Sequence, residues 1–546
     1  MEQSLIDEVQ RWIAEDPDPS TQEELRQLLK NQNEEVLRSS FSGFLEFGTA
    51  GLRGPLGPGP SRMNRAVVTK TAAGIAQYMK KNSLRSVVIG RDARYGSEDF
   101  TRDTAEIMQG AGFEVFVLPR PLPTPVLAFA VRDLQCDVGI MVTASHNPPQ
   151  DNGYKVYLGG TVSGIRYDGS QIIAPADKQI SQEISTVPPL PTLKRAQGWK
   201  VLDESVIEKY IRTTSRLADA PAELSVVYTA MHGVGTETVE KVFSAAGFSP
   251  LILVEEQAQP DPDFPTVAFP NPEEPGAIDL ALEKARAVKA DLVIANDPDA
   301  DRCAAAIADN SGTWRMLRGD EVGALLGEYI TSSAKSNGVI ANSIVSSSIL
   351  KKIAEAHGFP FQETLTGFKW IAKIPNLVFG YEEALGYCVD SHSVNDKDGI
   401  SAALALTQLT INLKQQGKTI DGFLDEIWKK YGYHATKQIS VRTTSLDHIT
   451  RVLGQIRAQA PSAIGEFNVI KFDDLEQPTD GLPPTNGVRF FLAGDIRVII
   501  RPSGTEPKIK CYIEVVRKGD VAASKADAHR VLDSLDGDLR KLLTSA

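Results

Sequence analysis

Short apolar runs rich in β-branched residues alternate along this chain with stretches whose apolar positions recur every three or four residues. The same succession appears three times. The first copy opens on Val87-Val88-Ile89-Gly90, continues through a helical pattern from about Asp99 to Met108, passes Gly112-Phe113 and enters Val115-Phe116-Val117-Leu118. The second opens on Val226-Val227-Tyr228 and passes Gly247-Phe248 into Leu251-Ile252-Leu253-Val254. The third opens on Val339-Ile340 and passes Gly358-Phe359. The three Phe marks stand 135 and 111 residues apart, too far for a solenoid and right for three successive α/β domains. Strands alternating with helices in this way predict mostly parallel sheets covered on both faces. After about Gly432 the pattern changes to strands such as Gln438-Ile439-Ser440-Val441, and to a hairpin of 488–492 and 496–500 turning at Ala493-Gly494-Asp495. A last helix with apolar positions Val531, Leu532, Leu535, Leu539, Leu542 and Leu543 is predicted to pack on that sheet. At the other end, Leu5, Val9 and Trp12 predict an amphipathic helix, and the proline-rich stretches 188–191 and 260–275 predict loops.

The chain has 546 residues, which at roughly 150 residues per domain suits three or four domains. The pattern divides it into α/β domains at 1–203, 204–318 and 319–432 and an α+β domain at 433–546. With 42% hydrophobic and 23% charged residues, disordered and fibrous classes are excluded. A net charge of -12 has the wrong sign for nonspecific binding to nucleic acid or an anionic membrane, so an anionic ligand must meet a local basic pocket. Cys136, Cys303, Cys388 and Cys511 are widely spaced, without a CxxC pair, which predicts neither a zinc ribbon nor a disulfide framework. The acidic start, lacking the basic and apolar regions of a signal peptide, fits a cytoplasmic location, and no apolar run approaches the roughly 18 residues of a membrane span.

Four segments carry chemistry. Thr143-Ala144-Ser145-His146-Asn147-Pro148 follows the apolar run 138–142, so a hydroxyl stands on a tight loop past a strand end, with His146 beside it and Lys155 shortly after. Ser145 can serve as a nucleophile there; an Asn-Pro turn with solvated polar side chains is the bland alternative. Asp297-Pro298-Asp299-Ala300-Asp301-Arg302 ends a buried-type strand with carboxylates at alternate positions, which a curled loop can turn toward one hard cation such as Mg²⁺. Left uncompensated, three carboxylates so close repel one another. Arg501-Pro502-Ser503-Gly504-Thr505-Glu506-Pro507-Lys508-Ile509-Lys510 combines a forked guanidinium, hydroxyls, a glycine and lysines, the ingredients of a phosphate cradle. Gly380-Tyr381-Glu382-Glu383-Ala384-Leu385-Gly386 sets two acidic residues between glycines, suited to accepting hydrogen bonds from sugar hydroxyls. Phe47-Gly48-Thr49-Ala50-Gly51-Leu52-Arg53-Gly54 and Leu365-Thr366-Gly367-Phe368-Lys369-Trp370 are weaker signals alone.

In this order, from about Phe47 to Tyr512, the segments resemble the α-D-phosphohexomutase superfamily of phosphoglucomutases and phosphomannomutases, closest to its phosphopentomutase-like and bacterial phosphoglucomutase branch. The resemblance implies a heart-shaped four-domain architecture, each domain giving one loop to a central cleft. It implies that Ser145 carries a phosphoryl group and that Asp297, Asp299, Asp301 and a phosphoserine oxygen hold Mg²⁺. Arg53, His146 and Lys155 would flank the transferring phosphoryl, with Lys155 or His146 as acid/base. Arg302, Thr366, Gly367, Glu382 and Lys397 would contact the sugar, and Arg501, Ser503, Gly504, Thr505 and Lys510 the non-reacting phosphate. The implied reaction interconverts glucose 1-phosphate and glucose 6-phosphate through glucose 1,6-bisphosphate, also the activating intermediate. Small sugar phosphates are the expected partners, without nucleic acid or membrane, for a monomer or weak homo-oligomer.

Two departures bear on the sugar. Ala384 stands where many glucose-specific relatives have Ser, removing a hydrogen bond worth about 0.5–1.5 kcal/mol net, and 386–397 departs from the hexose pattern around Lys397. Phosphopentomutase and phosphomannomutase activities therefore stay open, as does a glucose 1,6-bisphosphate synthase. A sensor without catalysis is the reading from another class, and the intact set of Ser145, three aspartates and Lys155 argues against it.

Overall fold

In a computed structural model, which describes residues 1–45, 51–219, 221–333, 338–443, 446–479, 481–503 and 508–544, each of the three repeats forms the same parallel pair of strands around one helix. Ser86–Arg91, the helix Ser97–Gly110 and Glu114–Val117 make the first; Val226–Thr229, Thr236–Ala245 and Ile252–Leu253 the second; Val339–Ser343, Ile349–Ala356 and Phe361–Thr364 the third. In every copy a later strand pairs in parallel with the other edge of the first: Val138–Val142, Leu292–Asn296 and Leu377–Glu382. The opening strand is thus central and carries apolar residues on both faces, as a covered parallel sheet requires.

The later strands deliver the chemistry. Val138–Val142 returns through residues 143–150 into the antiparallel strand Asp151–Leu158, and Leu292–Asn296 returns through 297–302 into the antiparallel strand Cys303–Ala308. The hydroxyl segment and the carboxylate segment therefore occupy the same topological place, the carboxyl end of the strand beside the central one. Residues 383–385 hold that place in chain order in the third copy.

The chain forms a four-domain α/β architecture whose contacts gather into two compact units. The first comprises Met1–Ala308, Trp314–Met316 and Gly386–Ile411. In it the predicted N-terminal helix is the first of three, Gln3–Glu15, Pro19–Lys30 and Glu34–Ser40, which bury Leu5, Val9, Leu25 and Leu37 together. Proline at the N-terminal end of the second helix and Asn33 capping the third make the separation. Residues 188–191 also depart from a plain loop, since Leu190–Thr192 winds into a 3₁₀ turn.

The second unit comprises Asp309–Thr313, Leu317–Leu385 and Asn412–Ala546. Its larger sheet is antiparallel through the long strands, in the order Tyr433–Arg442, Lys508–Arg517, Ile496–Pro502, Val488–Leu492, Phe467–Asp474 and Ala463–Ile464. The predicted hairpin turns at Gly494 (φ +83°) and Asp495 (φ +53°), left-handed positions that those residues tolerate. The last helix, Val521–Thr544, lies on Tyr433–Arg442 and Lys508–Arg517 with Val531, Leu532, Leu535, Leu539 and Leu543 buried, while Leu542 is half-exposed. All four cysteines are buried and unpaired. No described helix is long and apolar enough to cross a membrane.

Candidate active site

Within the first unit, Ser145 sits just past Val138–Val142 in a left-handed conformation (φ +53°), its amide donating to Thr143 Oγ1 at 2.9 Å. Its hydroxyl donates to Asp297 Oδ2 at 2.6 Å and lies 3.2 Å from His146 Nδ1. A non-glycine residue rarely adopts that φ unless its surroundings over-determine it, and here the cause is Arg94. Its guanidinium donates to the carbonyls of Ser145 and Asn147, each at 2.6 Å, of Pro148 at 2.8 Å and of Asp151 at 3.2 Å. Arg94 is buried, stacks over Phe264 at 4.9 Å and faces Asp92 at 3.4 Å. Replacing one partner of a buried ion pair strands the other, so Arg94→Met is expected to cost about 3–5 kcal/mol. Chemical denaturation of the purified variant against wild type checks this.

Arg53 reaches the same loop from Leu52–Pro55, which pairs antiparallel with Asp151–Leu158, and donates to Asn147 Oδ1 at 2.9 Å. Gly51 permits the approach, with φ +91° and a position where a Cβ would stand 2.7 Å from the Tyr154 carbonyl. Burial, aided by Arg302 and Arg53, keeps His146 well below its ordinary value, so the imidazole is neutral near pH 7.

The carboxylates converge as the alternate spacing predicts. Ala300 turns left-handed (φ +54°), and Asp297, Asp299 and Asp301 bring oxygens within 4.8 Å of one another, all buried. The loop is seated on Gly233, where a Cβ would come within 2.3 Å of Pro298 Cα. Lys155 Nζ donates to Asp299 Oδ2 at 2.7 Å and Asp301 Oδ2 at 2.8 Å, and Lys397 Nζ stands 3.3 Å from Asp301 Oδ2. Thr124, at the start of the helix Thr124–Asp133, donates its hydroxyl to Asp299 Oδ2 at 2.6 Å. The Arg302 amide donates to Asp297 Oδ1 at 3.0 Å.

Charge in this cluster is divided unevenly. Burial, reinforced by Asp299 and Asp301, pushes Asp297 well above the ordinary carboxylate range. Burial also opposes charge on Asp299 and Asp301, but Lys155 holds the first below that range, and Lys155, Lys397 and Arg302 hold the second there. Lys155 is buried, which disfavours its charge, yet Asp299 and Asp301 raise it above the usual lysine value. Asp299 Oδ1 and Asp301 Oδ1 are buried without a hydrogen-bond partner. Orphaned oxygens, three converging carboxylates and a donor set of oxygen alone fit a hard cation such as Mg²⁺ better than zinc.

Within the second unit, the acidic corner and residues 365–367 come together. Glu382 is the last residue of the strand Leu377–Glu382, not a loop residue, and its Oε1 accepts from the Gly367 amide at 2.7 Å. Thr366 adjoins this contact and is half-buried. Glu383 Oε2 accepts from the hydroxyls of Ser343 and Ser346, both at 3.1 Å. Burial, with Glu382 and Asp320 adding repulsion and Lys510 relieving it, pushes the Glu383 carboxyl up to about 7. Arg501 and Lys510 are cross-strand partners on Ile496–Pro502 and Lys508–Arg517, and the Ser503 amide donates to the Lys508 carbonyl at 2.8 Å. Gly504 and Thr505, like residues 47–50 of the N-terminal motif, lie outside the described residues.

Arg94 and Thr124 are site residues that sequence reasoning missed, and Glu383, read there only together with Glu382, was given no role of its own. Asp92-Ala93-Arg94 directly after a strand, and the Pro-Thr-Pro step at 123–125, are the signals that point to the first two.

Comparison with known proteins agrees with this organisation. The family models for phosphoglucomutase/phosphomannomutase match alpha/beta/alpha domain I at residues 45–187, domain II at 207–312, domain III at 318–431 and the C-terminal domain at 453–530. A Haemophilus influenzae protein named "Probable phosphomannomutase" is 46% identical over 489 residues, covering 88% of this chain and 98% of that protein. The phosphopentomutase of Mus musculus is 36% identical, covering 94% of this chain and 91% of its own. A crystal structure of a phosphoglucomutase/phosphomannomutase family protein from Burkholderia thailandensis shares the fold, with a TM-score of 0.70 at 19% identity, over 91% of this chain and 97% of that one.

Proposed function

The chain belongs to the phosphoglucomutase/phosphomannomutase family, and on that premise we propose that it moves a phosphoryl group between two hydroxyls of one sugar by way of Ser145. The observation that carries this reading is the left-handed Ser145, its hydroxyl 2.6 Å from Asp297 and 3.2 Å from the neutral His146. In the working state Ser145 is phosphorylated. A free hydroxyl of a sugar monophosphate attacks that phosphorus, the bond to Ser145 Oγ breaks, and the hydroxyl proton passes to a base. The bisphosphate then turns over, and its other phosphoryl returns to Ser145.

Phosphoryl transfer needs positioning and neutralisation of oxygen charge more than covalent assistance. Lys155, kept cationic by two aspartates, supplies charge, with Arg53 beside the loop. His146 has the uncharged nitrogen able to receive or return a proton. Asp297, Asp299, Asp301 and a phosphoserine oxygen would hold Mg²⁺, which when bound neutralises charge on the transferring group. Arg302, Lys397, Thr366, Gly367 and Glu382 would take the sugar hydroxyls, and Arg501, Ser503, Gly504, Thr505 and Lys510 the phosphate that does not react. The boundaries at 203, 318 and 432, with one such segment per domain, belong to the same proposal, as does a cytoplasmic setting.

Glucose 1-phosphate and glucose 6-phosphate are the proposed pair, with glucose 1,6-bisphosphate as intermediate and activator. Ala384 favours a second reading, a pentose phosphate, because a hexose loses one hydroxyl contact there. Initial rates with glucose 1-phosphate, mannose 1-phosphate and ribose 1-phosphate, each with Mg²⁺ and catalytic bisphosphate, decide between them. Glucose 1-phosphate is expected to give the highest kcat/KM, with ribose 1-phosphate within about tenfold, since one hydrogen bond is worth no more than that. Ribose 1-phosphate ahead by more than tenfold reverses the order, and turnover of none of the three refutes the mutase reading.

A further inference from the structure

Ser346, in the second unit, joins two segments that the proposed function gives to the substrate. Its hydroxyl accepts from the Glu383 amide at 3.0 Å and donates to Glu383 Oε2 at 3.1 Å, which fixes the peptide next to Glu382. Its carbonyl accepts from Arg497 Nη2 at 2.5 Å. Arg497 lies four residues before Arg501 on the strand Ile496–Pro502, on the same face by the period of two. One serine thus ties the acidic corner to the strand that bears the phosphate-binding cations.

The tie is braced on both sides. Arg497 pairs with Glu514 Oε2 at 3.0 Å, and Glu514 Oε1 accepts from the Ser347 hydroxyl and the Ser348 amide, each at 2.7 Å. Asp320 Oδ1 accepts from the Ser347 amide at 2.7 Å and from the Tyr381 hydroxyl at 2.9 Å. Arg497, Glu514, Asp320, Ser346 and Ser347 are all buried. Ion pairs out of water contribute little net stability, because desolvation offsets their attraction; what a satisfied network of this kind retains is a fixed geometry.

We propose that Ser346 and Arg497 are positioning residues that set the separation between the acidic corner and the cross-strand pair of Arg501 and Lys510, and so select sugar phosphates by carbon-chain length. The proposal rests on the assignment of those two segments to sugar and phosphate. A hexose phosphate is longer than a pentose phosphate by one carbon, about 1.5 Å, and reacting groups displaced on that scale lose rate. A separation held by buried hydrogen bonds therefore discriminates between the two lengths, and one that is released accepts both.

The test measures kcat and KM for glucose 1-phosphate and ribose 1-phosphate in wild type, Ser346→Ala and Arg497→Lys, with thermal unfolding recorded for each. Arg497→Lys keeps the charge and guards against a folding failure of the first variant. Expected are a KM for the preferred sugar raised about fivefold to twentyfold, a kcat within about threefold, and a preferred-to-other ratio of kcat/KM that falls at least about fivefold toward one. A purely structural role would lower the unfolding temperature and impair both sugars equally. An unmoved ratio in both variants, or a wild-type ratio already within about twofold of one, overturns the proposal and leaves the mutase reading standing. Turnover of neither sugar by the wild type refutes the mutase reading itself.

Discussion

Ser145→Ala is expected to reduce turnover below about 1% of wild type, a barrier increase of at least about 2.7 kcal/mol, while sugar phosphates still bind. The two effects separate because they reside in different groups. The hydroxyl is the covalent carrier, and Lys155, engaged by Asp299 and Asp301, is not free to take its place. Affinity comes instead from hydrogen bonds to the sugar and to the non-reacting phosphate, each charge-assisted contact contributing about 1.5–3 kcal/mol. Steady-state assays give the first quantity and calorimetric titration of glucose 6-phosphate the second. A variant that keeps more than about 1% of the rate does not use a phosphoserine.

Removal of divalent cations is expected to be nearly as severe, lowering turnover at least about 100-fold, with recovery on adding Mg²⁺. Three buried aspartates converge within 4.8 Å, and two of their oxygens have no hydrogen-bond partner. A phosphoryl group on Ser145 adds further negative charge beside Asp297, whose side chain is 2.6 Å from the serine hydroxyl. Lys155, Lys397 and Arg302 balance part of this, but three cations do not offset three carboxylates and a phosphate dianion. Asp299→Asn is expected to act in the same direction and to raise the Mg²⁺ concentration giving half-maximal rate. A thoroughly stripped protein that retains its full rate removes the metal from the account.

Much of this organisation was legible before any coordinates, for reasons that lie in particular residues. The three repeats stood out because a buried central strand demands a run such as Val87-Val88-Ile89, and because the glycine after each helix, at 112, 247 and 358, adopts the positive φ that ends it. Ser145 and the three aspartates were legible because such clusters are unusual immediately after apolar strands. Arg94 was not: one arginine after a strand reads as a solvated cation, and only folding carries it to carbonyls 51 to 57 residues away. Ser346 and Arg497, 151 residues apart, meet for reasons equally absent from local pattern. The placing of Gly386–Ile411 with the first unit also depends on contacts that no window of sequence contains.

The central claim is that Ser145 carries the phosphoryl group, and peptide-resolved mass spectrometry tests it most directly. After incubation with glucose 1,6-bisphosphate and Mg²⁺, followed by removal of small molecules, the account predicts one phosphate per chain, located on Ser145 and discharged on adding glucose 1-phosphate. A chain that turns over substrate with Ser145 unmodified, or with the phosphate on another residue, contradicts it.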